Sequence, residues 1–188
     1  LSHMDADHVG NLGGVLERAP NARVVTNFLG MGKMNLAGLD VSRVHLLEPG
    51  ERLDLADRSL VPLRPSYYDA PETIGLFDAT DQVFFAADSF GALLPDTADE
   101  IDAVDDEALR DGLVGWSSID APWLTTANQA TLGRTLRSIE RLDPEFVLSG
   151  HLPLARCGVR RLTGHIERAY CRGPNSAIDP LAIEHLEA

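Results

Sequence analysis

Between positions 3 and 8 the chain sets out two imidazoles and two carboxylates, His3-x-Asp5-x-Asp7-His8. A run like this either stays solvated on a surface or is drawn inward around a cation. Several charges cannot share a partly buried site without one. The alternation of His3, Asp5 and Asp7 aims side chains of an extended or turning segment at one point, and Asp7 with His8 can address a second point beside it. Mixed imidazole and carboxylate donors suit zinc, iron or manganese. Gly10 and the pair Gly13-Gly14 allow backbone close to that point. A helix is predicted to start here, its positive end toward the anionic cluster. An EF-hand does not fit, because the next oxygen ligand would fall on Val9 and the closing acid on Leu16.

Composition narrows the setting. A chain of 188 residues with 44% hydrophobic content is long and apolar enough to bury one core, so residues 1–188 are read as a single domain. The formal net charge of −13 argues against a surface that neutralises a phosphate backbone, and no nucleic-acid partner is expected. No stretch approaches the roughly 20 apolar residues of a membrane span, and no basic-then-apolar leader is visible. Two cysteines, Cys157 and Cys171, make neither a disulfide framework nor a thiolate metal site. Ordinary thiols in a reducing compartment suggest a cytoplasmic setting.

Turn residues bound short strand-like segments at 23–27, 43–48, 52–55 and 60–64. Thr73–Phe77 and Gln82–Ala87 read as a hairpin around Asp78-Ala79-Thr80-Asp81. The acid-rich stretch 96–111 reads as a solvated loop or a frayed helix. Leu132, Leu136, Ile139 and Leu142 line one helix face, which Asp143-Pro144 terminates. Phe146–Ser149 is a strand running into Gly150-His151, and Val159, Leu162, Ile166 and Ala169 mark a further helix. Strands first and helices interleaved later predict a layered α/β or α+β domain. Roles in structure or in solvent are expected for His45, His165 and His185, and packing for Trp116 and Trp123. No Ser sits in a nucleophile elbow.

The opening run resembles the His-x-His-x-Asp-His motif of the metallo-β-lactamase superfamily. Its carboxylate at the second ligand position brings it closest to the flavodiiron branch, although Asp5 is one methylene shorter than the usual Glu. Ala86-Ala87-Asp88-Ser89-Phe90-Gly91 resembles the flavodiiron segment whose Asp bridges two metals. Leu148-Ser149-Gly150-His151-Leu152-Pro153 resembles the strand end that brings the last His, and the segment 48–55 resembles the family's Gly-Asp turn with its following strand. The family places a His nineteen residues before the bridging Asp, and here that position is Asp69, in Tyr67-Tyr68-Asp69-Ala70-Pro71. Tyr68 is the alternative if the register slips by one.

The resemblance implies an αβ/βα sandwich of two sheets between helices, with metals at one edge of the sheets. The fold would lack its opening strands, since the motif starts at the third residue. It implies one metal on His3, Asp5 and Asp69, a second on Asp7, His8 and His151, and Asp88 bridging. Such a carboxylate-rich set favours two iron ions, with zinc or manganese as alternatives. Three functions follow as expectations. The first is binding, sensing or reduction of dioxygen or nitric oxide at a di-iron site, with an external electron donor, because the chain shows no phosphate-cradling loop for a flavin. The second is hydrolysis of an ester, thioester, amide or phosphodiester by metal-bound hydroxide, with Asp7 orienting or deprotonating the water. The third is a metal-poor binding module. A homo-oligomer is compatible with each.

Overall fold

Parallel pairing of two strands that are neighbours in space but distant in sequence is what builds the site. In the computed structural model, which describes residues 1–171, β6 (Val83–Phe85) runs parallel to β7 (Phe146–Leu148), Phe84 facing Val147. Their carboxyl ends therefore emerge side by side, and the chain segments leaving them carry Asp88 and His151.

These strands sit within a six-stranded sheet. Its order is β3 (Leu53–Asp54), β4 (Ser59–Leu63), β5 (Gly75–Asp78), β6, β7 and β8 (Ala155–Arg156), antiparallel except at β6/β7. A second, two-stranded parallel sheet pairs β1 (Val24–Thr26) with β2 (Val44–Leu46). The strand segments and the hairpin expected from sequence are all present. The hairpin loop is closed by Asp78, whose Oδ1 accepts from the Thr80 amide at 2.9 Å. A parallel neighbour needs a crossover, and residues between β6 and β7 supply it with α4 (Asp106–Asp120) and α5 (Gln129–Glu140).

One face of the large sheet is covered by α4, α5 and α6 (Val159–Tyr170). Phe84 and Val147 from the sheet, Leu109 and Leu113 from α4, Leu132, Leu136 and Ile139 from α5, and Leu162 and Ile166 from α6 form one buried cluster. The helical spacing read in the last third is therefore the core-facing stripe. The apolar residues alternating with these on the strands, such as Phe85 and Leu148, are partly exposed on the other face. His165 is buried and bonded to Asp106 at 3.0 Å, in keeping with a role in structure, and His45 lies in β2. His185 falls outside the described residues.

Two parts depart from the sequence reading. The acidic stretch is not a frayed helix or loop in its second half. Asp105 caps α4 by accepting from the Glu107 and Ala108 amides, and Asp106 and Glu107 occupy the first turn, where negative charge is favoured. Helix α3 (Phe28–Leu36) also forms, capped by the Asn27 side chain on the Gly30 amide, although Gly30 and Gly32 dilute its helical signal. No helix among the described residues is long and apolar enough to cross a membrane.

Candidate metal centre

The amino-terminal segment is pinned before it reaches the cluster. The Leu1 backbone nitrogen lies 2.9 Å from the Val25 carbonyl oxygen, and the Ser2 carbonyl accepts from the Ile74 amide at 3.0 Å. This fixes His3 beneath the surface, with no exposed area. The single turn α1 (Ala6–Val9) then turns Asp7 and His8 onto the same region, while Asp5 stands at its N-cap without capping it. Helix α2 (Leu12–Arg18) follows. Gly10, with φ +33°, separates α1 from α2, and Gly13 and Gly14 lie inside α2, so these glycines do not bring backbone to the cluster as expected. Gly150 does. A Cβ there would lie 3.0 Å from Asp88 Oδ1 and 3.4 Å from His8 Cε1.

Seven side chains come together in two groups, each with ligand atoms within 4.8 Å of one another: His3, Asp5 and Asp69, and Asp7, His8, Asp88 and His151. All seven residues singled out in the sequence are therefore in this place. Asp88 faces both groups with different oxygens. Its Oδ2 is 3.4 Å from His3 Nε2, whereas its Oδ1 is 2.7 Å from His8 Nε2 and 3.6 Å from His151 Nε2. Asp69 Oδ2 lies 3.7 Å from His3 Nε2, and its Oδ1 accepts from Thr73 Oγ1. Tyr68 is turned away, its carbonyl accepting from the Trp123 indole at 2.9 Å and its ring packed on that indole, so the register that selects Asp69 is the one observed.

The donor set fits a pair of cations on direct grounds. The Nε2 atoms of His3 and His8 and Oδ1 of Asp88 are buried, yet none has a well-directed hydrogen bond. Close approach without alignment is what donors aimed at a common third point show, and orphaned buried polar atoms are otherwise rare. Ser2 Oγ lies 3.0 Å from His8 Nδ1 and 3.2 Å from His3 Nδ1, so one hydroxyl orients both rings with Nε2 facing inward. Sequence reading missed Ser2, although it immediately precedes the motif.

Electrostatics follow the same geometry. Burial alone would lower the His3 pKa, but Asp88, Asp69 and Asp5 outweigh it and the net shift is upward. Burial would raise the Asp88 pKa, and His3, His8 and His151 bring it below the ordinary carboxylate value. A residue unforeseen from sequence joins them. Asp120, at the end of α4, has a pKa pushed up to about 7 by burial and by the charges of Asp88 and Asp69.

The scaffold around Asp88 is tight. Tyr67, fully buried, accepts from the Phe90 amide through its hydroxyl at 2.7 Å, and its carbonyl accepts from Ser89 Oγ. Trp116 donates its indole N–H to the Asp88 carbonyl at 3.1 Å and lays its ring on that of His151, centroids 4.1 Å apart. Both tryptophans pack, as expected, but they pack against the cluster and its Asp69 loop. Asp5 and Asp7 are the exposed members, Asp7 with 53% of its side chain exposed, so the pair of groups meets solvent on that side.

No protein-family model and no curated protein sequence matches the chain. Solved structures do. The rubredoxin oxygen:oxidoreductase of Desulfovibrio gigas superposes with a TM-score of 0.74 at 19% identity, over 89% of this chain and 41% of that one. The flavodiiron protein of Giardia intestinalis gives 0.72 at 17% identity, over 91% and 40%. A chemotaxis sensor, ODP, solved as a peroxy diiron species, gives 0.71 at 19% identity, over 98% and 73%. The chain thus has the metallo-β-lactamase-like fold of flavodiiron proteins and spans about two fifths of the length of the first two.

Proposed function

We propose that this chain holds a pair of metal ions, iron by preference, and binds, senses or reduces dioxygen or nitric oxide there. The observation that carries the reading is the set of inward-facing donors of His3, His8 and Asp88, close together but without well-directed hydrogen bonds, within a cluster of four carboxylates and three imidazoles. Oxygen-rich donors with few histidines and no thiolate suit iron better than zinc. The fold shared with the rubredoxin oxygen:oxidoreductase and the diiron chemotaxis sensor supports the same direction.

In this reading His3, Asp5 and Asp69 would hold one ion, Asp7, His8 and His151 would hold the other, and Asp88, which turns one oxygen toward His3 and the other toward His8, would serve both. When bound, the iron pair supplies the redox and Lewis-acid chemistry for a diatomic ligand. The protein's own part is geometric. Ser2 fixes both ring tautomers, Trp116 shields one face of His151, and the exposed Asp7 edge admits the small molecule. A reductive role would draw electrons from a donor outside these 188 residues.

Elemental analysis of the purified chain, with visible spectra recorded before and after exposure to air, tests the proposal. Two irons per chain and an oxygen-dependent absorption change are expected. Two zincs with turnover of an ester or phosphodiester would replace the reading by hydrolysis, and less than about half a metal per chain would leave a binding module. Asp88→Ala is expected to abolish paired binding, and two tightly held metals in that variant would remove Asp88 from the bridging position.

A further inference from the structure

We infer that Asp120 is an eighth member of the metal-binding set, offering an oxygen to the ion assigned above to His3, Asp5 and Asp69. The inference rests on that two-metal reading and deepens it.

Helix α4 places Asp120 one turn beyond Trp116, the residue that packs on His151 and holds the Asp88 carbonyl. Oxygens of Asp120, Asp69 and Asp88 all lie within 4.8 Å of one another. Asp120 Oδ2 is buried and has no hydrogen-bond partner, and no lysine or arginine among the described residues pairs with it. An independent feature points to a ligand in the same place. His3 is wholly buried, and its Nε2, which also has no well-directed hydrogen bond, faces Asp69 and Asp88. Three carboxylates gathered on one imidazole in a small volume repel one another unless positive charge is placed among them, and a bound cation supplies it.

The addition changes what the site selects. His3, Asp5, Asp69 and one oxygen of Asp88 would make a four-donor set that zinc accepts. A fifth protein oxygen from Asp120 exceeds the tetrahedral set of zinc and suits the five- or six-coordinate, oxygen-rich preference of iron(II) or manganese(II).

The test compares the 188-residue chain with Asp120→Asn and Asp120→Ala. Metal content is measured by elemental analysis, iron(II) and manganese(II) affinity by competition with a chelator, and thermal unfolding after metal removal. The wild type is expected to bind two ions. Both variants are expected to weaken one of the two sites at least tenfold, with the other unchanged. Without metal, both are expected to melt no lower than wild type, because a carboxylate crowded by two others has been removed. A residue that merely supports the fold would lower both quantities. Wild-type affinity at both sites in Asp120→Asn would overturn the inference and leave the two-metal reading intact. A wild type that binds no metal would overturn both. Unfolding of both metal-free variants would also overturn it, since Asp120 would then be stabilising the fold.

Discussion

Ser2 contributes no ligand and yet decides whether two ligands face inward. Its single hydroxyl stands between His3 Nδ1 and His8 Nδ1, whose rings lie 4.0 Å apart. A hydroxyl oxygen has two lone pairs and can accept from the Nδ1–H of both rings, which fixes in each the tautomer whose Nε2 lone pair is free to ligate. Ser2→Ala removes this without disturbing the Ser2 carbonyl that bonds the Ile74 amide. The expected result is a fold that melts near the wild-type temperature and a loss in metal affinity of about 10- to 100-fold, as for other outer-shell partners of ligating histidines. Chelator competition measures it, and an unchanged affinity would show that Ser2 does not orient the rings. The sequence carries no signal of this role, because a Ser beside a His has many bland explanations. Asp69 was open to sequence reading through its spacing, with Tyr68 as the alternative. Its side chain sits where its spacing from Asp88 required, and an oxygen there makes the cluster harder than a histidine would.

At the scale of elements, what holds the cluster is the pair β6 and β7 together with the loops leaving them. The Gly150 amide donates to the Ala87 carbonyl at 2.8 Å and the Ala92 amide to the His151 carbonyl at 2.8 Å, so the two loops are laced together. Tyr67→Phe deletes the acceptor of the buried Phe90 amide and is expected to cost about 1–3 kcal/mol of stability. Urea unfolding at fixed m-value measures it, and a cost near zero would mean that water or a shifted carbonyl replaces the phenol. Gly150→Ala acts differently, because its methyl would press on Asp88 Oδ1 and His8. It is expected to weaken metal binding more than it weakens the fold, as a parallel measurement of chelator competition and melting temperature would show. The motif-bearing loops and the strands beside them were legible in the sequence, since turn residues and alternation mark both. Helix α4 was not. Leu109, Leu113 and Trp116 do step at helical spacing, and Asp120 follows four residues after Trp116. The acids crowding its first turn mask that stripe, and so hid the one carboxylate that the fold turns toward the cluster. Helix α3 was hidden by its two glycines and rests on the Asn27 cap instead.

For the molecule as a whole, the cluster sets opposite dependences on pH with and without metal. In the metal-free chain the Asp120 pKa is raised from 3.8 to about 7, so between those values the native state binds more protons than the unfolded one and stability falls as pH rises. His3 acts in the same sense. Burial opposes its charge but the neighbouring aspartates prevail, so its contribution is full below about 6.5 and is lost as pH rises through its higher folded value. Asp88 acts oppositely and only in acid. Its folded pKa is below 3.8, so its contribution is present above that value and disappears as pH falls through the folded one. From these groups the metal-free chain should therefore be most stable near pH 4 and lose stability as pH rises from there toward and beyond about pH 7. Metal binding runs the other way, because imidazoles must be neutral and carboxylates ionised to ligate, and binding to the native state alone adds stability that grows with affinity. The melting temperature with metal minus that after chelation is thus expected to widen steadily from pH 5 to pH 8. Asp120→Asn should flatten the metal-free curve over the same range. A gap that stays constant or narrows would mean that these imidazoles and carboxylates do not hold the ions, however close together the fold has brought them.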